Sequence, residues 1–113
     1  MDIVARLRWQ IAGYPNFHRS RANLLIHIVA VPFFLFCNVL LIRALLGFSI
    51  RAAIIALLGM AASMAIQGRA HRAESLPTEP FAGPWDAILR IFLEQWITFP
   101  RFVLTGGWLR ALR

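Results

Sequence analysis

The sequence has no lysine, a single cysteine and only five acidic residues. Charged residues make up 15% of its 113 positions, whereas hydrophobic residues make up 59% and the mean hydropathy is +0.65. Soluble domains carry about a quarter charged and about half apolar residues, so this composition excludes an ordinary soluble domain. The lone Cys37 excludes an intrachain disulfide. The length accommodates one domain at most.

The positive charge comes from arginine alone, because 12 arginines give a formal net charge of +7. A nucleic-acid-binding protein would spread such charge over a polar face. Here the arginines flank apolar runs, as they do at membrane edges, so we predict no nucleic-acid partner. An arginine-only bias is also typical of GC-rich bacterial genomes, and the expected location is therefore a bacterial inner membrane.

Two long apolar segments predict a transmembrane helical hairpin. Residues 24–42 contain no acidic residue and no arginine, with His27 as their only basic side chain, and as a helix they reach about 28 Å, close to the ~30 Å hydrocarbon core. Residues 52–68 carry no charge and are rich in small side chains, which allow helices to approach closely. We predict an all-α membrane protein with spans at residues 22–45 and 52–74, the second extending into the cytoplasm.

The arginines also predict the orientation, because cytoplasmic loops carry an excess of basic residues. More arginines lie outside the two spans than in the short segment that joins them. Both termini are therefore expected to face the cytoplasm. The outer arginines are Arg6, Arg8, Arg19, Arg21, Arg69 and Arg72, and those of the joining segment are Arg43 and Arg51.

Interfacial amphipathic helices are predicted on both sides of the hairpin. Residues 3–12 repeat an apolar side chain every four positions beside arginines, as in a helix that lies on a membrane surface. The sequence around Pro15 is predicted to end this helix. Residues 85–99 carry a helical apolar stripe and are predicted to form an interfacial or re-entrant helix that Pro100 ends or kinks. Residues 108–113 are predicted to be an anchor.

Polar residues form one stripe on each predicted span. Asn23 and His27 are four residues apart and share a helix face. Gln67, His71 and Glu74 follow one another at steps of four and three. In a folded hairpin the two stripes lie at the same depth, and polar lines in spanning helices normally face each other or a cavity.

His18 lies nine residues before His27, which on one continuous helix would place the two rings on opposite sides. His18 can therefore join the cluster only if the chain turns before Asn23. The helix break around Pro15 and a cap at Ser20 would allow such a turn.

Several functions fit such a cluster. Imidazole and carboxylate groups suit iron(II), zinc or manganese, and amides such as those of Asn23 and Gln67 could fix the orientation of the rings. Alternatively, the polar residues only make interhelical hydrogen bonds that lock the hairpin. Haem ligation, a proton relay and a lipid-headgroup site are further alternatives.

The polar residues also follow a wider pattern, His18-x4-Asn23-x3-His27-x4-Pro32 and then Gln67-x3-His71 with an acidic residue soon after. This pattern resembles the Mpo-like family of membrane 2-hydroxy fatty acid dioxygenase-like proteins, over roughly residues 14–108. A fungal member of that family is an iron(II)-dependent dioxygenase that shortens 2-hydroxy fatty acids by one carbon.

The resemblance implies that this chain is an iron(II)-dependent dioxygenase of fatty acid metabolism. The acid at the site would be Glu74, although the family usually places its acid four residues after the histidine rather than three, and Glu79 is the next candidate. The wall formed by two spans is thin, so a homodimer is expected. The implied residues are the metal ligands His18, His27, His71 and Glu74, the supporting amides Asn23 and Gln67, the substrate-carboxylate partners Arg69 or Arg72, and Phe33, Phe34 and Phe36 along the acyl tail.

The competing prediction is a non-enzymatic membrane scaffold in which the same polar stripe only joins the two helices. The metal content of the protein distinguishes the two predictions, because a scaffold holds no metal.

Overall fold

The computed structural model describes residues 2–113 and folds them into helices joined by turns and one loop. No β-strand occurs between Asp2 and Arg113, so the all-α class is confirmed. The elements in chain order are α1 (Ile3–Phe17), α2 (Arg21–Leu46), α3 (Ile50–Ala70), a 3-10 turn (His71–Ala73), α4 (Pro84–Leu93), a π turn (Glu94–Thr98), α5 (Phe99–Leu104) and α6 (Gly107–Leu112).

Helices α2 and α3 form an antiparallel hairpin around a tight turn. Phe48 occupies the turn with a φ of 53°, and the Ser49 hydroxyl caps α3 by accepting a hydrogen bond from the Ala52 N–H. The two segments Arg21–Leu46 and Ile50–Ala73 are long and apolar enough to cross a membrane.

The outer surface of this hairpin is apolar, and polar side chains lie inside. Within the protein, only 33% of the most apolar 18-residue stretch of Arg21–Leu46 is buried, and only 22% of that of Ile50–Ala73. Val29 and Phe36 are 70% and 65% exposed, while Asn38 and Ser63 are buried. A core helix of a soluble protein would bury its apolar side chains instead.

Helix α1 is longer than predicted. It continues through Pro15 and ends at Phe17, so the predicted break around Pro15 is wrong by one turn. Proline lacks an N–H and therefore costs a helix the bond to the carbonyl four residues earlier. Because Pro15 lies in the last turn of α1, the loss is confined to the end of the helix.

Pro100 does not end the helix after the loop, since it lies in the first turn of α5 and the helical segment continues to Leu104. Of the two predicted alternatives, an end or a kink, the end is therefore wrong. The π turn ends two residues before this proline, and the N–H of Phe99, the residue that caps the turn, donates to the Glu94 carbonyl five residues earlier. Pro100 has no N–H for the usual helical bond, and a π turn is one way for a helix to absorb such a missing bond.

Helices α1 and α4 pack side by side in a regular register, in which contacts join residues 80 positions apart. The Arg6 guanidinium donates to Asp86 at 3.0 Å, and the Gln10 amide donates to the Arg90 carbonyl at 2.9 Å. One turn further along, the Tyr14 hydroxyl donates to Glu94. This register places the end of α1 beside the start of the π turn, at the open end of the hairpin.

Candidate metal centre

His18 is brought toward the hairpin by the change of direction between α1 and α2. Residues 18–20 are not helical, and Ser20 caps α2 by accepting from the Asn23 N–H. The chain therefore has the turn that His18 needs in order to join the other histidines. The His18 side chain is only 3% exposed, and its ring stacks on Tyr14 with the ring centroids 3.7 Å apart.

His27 lies on the inner face of α2 and is 1% exposed. Its Nδ1 is 2.9 Å from the Asn23 carbonyl, one turn earlier in the helix. His18 makes the equivalent contact at 2.9 Å to the Tyr14 carbonyl. Since a carbonyl can only accept, both Nδ1 atoms carry a proton, and Nε2 is the nitrogen of each ring that is available to bind a metal ion.

His71 ends α3 and completes a set of three rings that face one another. The ring centroids of His18, His27 and His71 are 4.7 to 5.1 Å apart, and each pair of rings is nearly perpendicular, at 83° to 86°. Each ring comes from a different part of the chain. The three imidazoles can therefore direct nitrogen lone pairs at one small volume.

Glu94 supplies a carboxylate to the same volume. Its Oε2 lies 3.6 Å from His18 Nε2 and 4.0 Å from His27 Nε2. Ligand atoms of the four side chains all lie within 4.8 Å of one another. We refer to the group His18, His27, His71 and Glu94 as the candidate metal centre.

The Glu94 carboxylate is charged at neutral pH. Burial would raise the pKa of Glu94, but the rings of His18 and His27 and the hydroxyl of Tyr14 together lower it to about 2. Burial also raises the pKa of Tyr14, and the charge of Glu94 raises it further, so the phenol keeps its proton. The Tyr14 hydroxyl therefore acts as a donor to a carboxylate, at 2.8 Å.

Three buried nitrogen atoms of the candidate metal centre have no hydrogen-bond partner within residues 2–113, namely His18 Nε2, His27 Nε2 and His71 Nδ1. Each unpaired buried polar atom costs about 1–3 kcal/mol. A metal ion would remove that cost, because it accepts the lone pairs that no donor satisfies. The residues present thus fit a metal ion, and nitrogen and carboxylate donors suit iron(II), zinc and manganese.

A cavity of about 200 Å³ reaches the candidate metal centre from the protein surface. It opens between α1, α4 and the loop that follows the hairpin. Its lining includes His18, His71 and Glu94 of the centre, Trp9 and Phe17 of α1, and Arg90 of α4. A small molecule that entered here would meet the centre directly.

The structure does not bring Glu74 into the centre, although the sequence predicted it to be the carboxylate ligand. The Glu74 carboxylate instead accepts from the N–H groups of Arg19 and Ser20 and from the Asn23 amide, at 2.7–3.1 Å. Burial would raise the pKa of Glu74, but these donors lower it. Glu74 therefore fixes the turn that positions His18, and Glu94 takes the place predicted for it.

The two predicted amides support the centre by routes that differ from the prediction. Asn23 orients His27 through its backbone carbonyl rather than its side chain. Gln67 contacts the π turn, where its amide and that of Gln95 donate to each other at 2.9 and 2.8 Å. Gln95 is fully buried and follows Glu94 directly, so this pair ties α3 to the π turn.

The residues predicted to contact substrate lie mostly elsewhere. Arg69 and Arg72 line a separate surface groove and not the cavity, where the basic residue is Arg90. Of the three predicted phenylalanines, Phe34 is buried against Phe92 with ring centroids 5.7 Å apart, so it cannot line an open path for an acyl tail. Phe33 and Phe36 remain exposed on the outer surface.

Sequence reasoning missed Glu94, Gln95 and Tyr14. A signal for the first two was present, because Glu94 and Gln95 interrupt an otherwise apolar run, and polar residues within such runs normally face a protein interior. Tyr14 carried no comparable signal, since a single tyrosine in an amphipathic helix is ordinary.

No protein-family model, no curated protein and no solved structure matches this chain. The resemblance to the Mpo-like family therefore remains a prediction from the spaced histidines and amides. The candidate metal centre has to be interpreted from its own geometry.

Proposed function

We propose that this protein is an integral membrane oxygenase whose candidate metal centre holds an iron(II) ion and acts on 2-hydroxy fatty acids. The observation that carries this proposal is the set of three buried imidazole nitrogens without hydrogen-bond partners in the described chain, gathered with a charged carboxylate. Histidine and carboxylate ligands with open positions are the ligand type of non-haem iron oxygenases. The substrate class comes from the family resemblance.

Membrane insertion is supported by the surface of the hairpin. Large apolar side chains such as Val29, Phe36 and Leu58 cover its outside with 65–70% exposure, which is unfavourable in water and favourable in lipid. More arginines lie at the open end than at the turn, so we place the termini and the candidate metal centre at the cytoplasmic face of a bacterial inner membrane.

The cavity fits the reacting end of a fatty acid better than a whole one. Its volume of about 200 Å³ lies below the roughly 300–1,000 Å³ of pockets that enclose drug-sized ligands. The carboxyl end would enter the cavity between Trp9 and Phe17, and the acyl tail would stay on the apolar surface. Arg90 is the cation that lines this cavity, so it replaces Arg69 and Arg72 as the candidate partner of the substrate carboxylate.

A bound iron(II) ion would supply the chemistry that brings dioxygen, the oxidant, to the carbon beside the carboxyl group. The chain supplies the rest. The carbonyls of Tyr14 and Asn23 fix a proton on Nδ1 of His18 and His27, so that Nε2 of each ring would bind the metal ion. Burial of His18 and His27 limits the access of water, and the cavity would admit the reacting end of the substrate.

Elemental analysis of protein purified gently from membranes tests this proposal first, followed by oxygen uptake with 2-hydroxypalmitate. We expect about one iron per chain and oxygen consumption that needs the 2-hydroxyl group. Palmitate is the matched control, because it differs only in lacking that hydroxyl. His27→Ala and His71→Ala should each abolish bound iron and oxygen uptake.

Three outcomes would contradict the proposal. Protein without any metal, with both alanine variants less stable, would favour the scaffold. A Soret band in the purified protein would identify haem ligation instead. Iron-loaded protein that consumes no oxygen with 2-hydroxypalmitate would keep the metal site but reject the substrate.

A further inference from the structure

We infer that Tyr14 is a positioning residue of the candidate metal centre, which supports two of its four ligands and fixes the Glu94 carboxylate through a hydrogen bond. The inference rests on the proposed function only in requiring a metal ion at this centre, and it is independent of the substrate. Tyr14 belongs to α1, outside the two segments that could cross a membrane.

Tyr14 contacts His18 in two ways. Its ring stacks on the imidazole with a centroid distance of 3.7 Å and an angle of 9° between the planes. Its backbone carbonyl lies 2.9 Å from His18 Nδ1 and so holds the proton on that atom. The ring orientation and the tautomer of His18 therefore both depend on the position of Tyr14.

The Tyr14 hydroxyl contacts the second ligand, Glu94. It donates to Oε2 at 2.8 Å, the same oxygen atom that lies nearest to His18 Nε2. A donor at this distance restricts rotation of the carboxylate and leaves its remaining lone pairs for a metal ion held between Glu94 and the histidines. Carboxylate ligands of metal ions are commonly held in this way by a neighbouring hydrogen bond.

Packing alone does not explain a tyrosine at this position. The ring lies among apolar side chains, with centroids 5.1 Å from Phe102 and 6.4 Å from Phe99. Phenylalanine would fill the same space, whereas a buried hydroxyl is costly unless it has a partner. Among the residues described, the partner of this hydroxyl is Glu94.

The register between α1 and α4 keeps this hydrogen bond in place. The Arg6–Asp86 ion pair comes two turns before it along both helices, and the Gln10–Arg90 contact comes one turn before it. A further hydrogen bond, from the Thr98 hydroxyl to the Gln10 side chain, joins the π turn to α1. Tyr14 thus reaches Glu94 from a helix that is already fixed beside it.

Tyr14→Phe tests the inference, because it keeps the stacked ring and the backbone carbonyl and removes only the hydroxyl. The full-length protein would be stripped of metal in detergent micelles and reconstituted with cobalt(II), whose visible absorption reports the geometry of its ligands. We expect the variant to bind cobalt(II) about 10–100-fold more weakly, with a shifted visible spectrum.

Thr98→Val is the matched control. It also removes one hydroxyl whose hydrogen bond joins α1 to the π turn, but this hydroxyl does not touch a ligand. We expect its cobalt affinity to stay within about twofold of the unsubstituted protein and its spectrum to be unchanged, since the ligand-supporting bonds remain.

A Tyr14→Phe variant with unchanged affinity and spectrum would overturn the inference. Equal losses in both variants would also overturn it, because they would reflect general loosening of α1 against α4. If the unsubstituted protein binds cobalt(II) but, when loaded with iron(II), does not oxidise 2-hydroxypalmitate, the proposed function fails while the role of Tyr14 is still decided. If it binds no metal at all, both fail.

Discussion

The two ends of the α2–α3 hairpin are packed with different chemistry. Near the turn, small residues bring the helices together, with Ala44 and Ala56 buried and Gly59 against Cys37. At the open end, the space between the helices holds imidazoles, amides and a hydroxyl, and it is closed by α1 and the π turn. Close apolar packing is sufficient for a helical hairpin in lipid. The polar residues at the open end are therefore the ones on which the proposed function depends.

The largest difference is expected between variants in which Glu94 or Glu74 is replaced by glutamine, because only Glu94 belongs to the candidate metal centre. We expect Glu94→Gln to weaken metal binding by more than ~100-fold, since it neutralises a ligand rather than an outer partner, whose loss typically costs 10–100-fold. Glu74→Gln is the control, because its carboxylate binds backbone and amide donors only. Isothermal titration with cobalt(II) measures both variants.

The outcome of that titration decides which acid is the ligand. If Glu74→Gln loses the metal and Glu94→Gln keeps it, Glu74 is the metal ligand, as the sequence predicts, and Glu94 is not. Glu74→Gln should instead lower the thermal stability of the protein, because it weakens the bonds that fix the turn before α2.

An intermediate effect is expected from substitutions in the buried amide pair at the open end, Gln67 and Gln95. In Gln95→Leu the Gln67 amide still donates to Ser63, but the Gln67 Oε1 loses its donor. We therefore expect the free energy of unfolding to fall by about 1–3 kcal/mol. The double variant Gln67→Leu/Gln95→Leu should regain most of that loss, because two apolar groups of similar shape need no hydrogen bonds. Chemical unfolding in mixed micelles gives the coupling energy.

Additive losses in this double variant would contradict the pairing of α3 with the π turn. A double variant that is stable but binds cobalt(II) more weakly would support it further. That result would separate the role of the pair in placing Glu94 from its role in folding.

The smallest effects are expected from substitutions of two glycines in α3. Gly59 packs against α2 toward the turn end of the hairpin, whereas Gly68 lies on the exposed surface of the helix. A Cβ atom at Gly59 would lie 2.6 Å from Cys37 Sγ, whereas one at Gly68 would meet nothing within 4 Å. We expect Gly59→Ala to lower the free energy of unfolding by about 1–2 kcal/mol, as overpacking outweighs the gain in helix propensity. Gly68→Ala should raise it by up to ~1 kcal/mol.

Thermal unfolding in detergent, followed by circular dichroism, measures this pair of variants. Metal binding should be unchanged in Gly59→Ala, because the substitution lies at the turn end. A loss of metal there would show that the two ends of the hairpin are coupled, and equal stability of the two variants would show that the turn end is loosely packed.

The sequence by itself determined the hairpin and most of its polar contents. Helical periodicity and length predict local structure directly, so the two apolar segments and the shared faces of Asn23 with His27 and of Gln67 with His71 followed from spacing. The three histidines were predicted to meet, on condition that the chain turned after His18. That turn is present in the structure at residues 18–20.

Only the tertiary structure decided which carboxylate faces the histidines and which residues hold the ligands. Glu74 is near His71 in sequence but is drawn to the N–H groups that begin α2, and Glu94 reaches the site because α1 and α4 pack in one register. Such contacts join residues 80 positions apart and depend on how helices pack. The spacing of residues predicts which side chains share a face of one helix. Whether Glu74 or Glu94 faces the histidines depends on how several helices pack together.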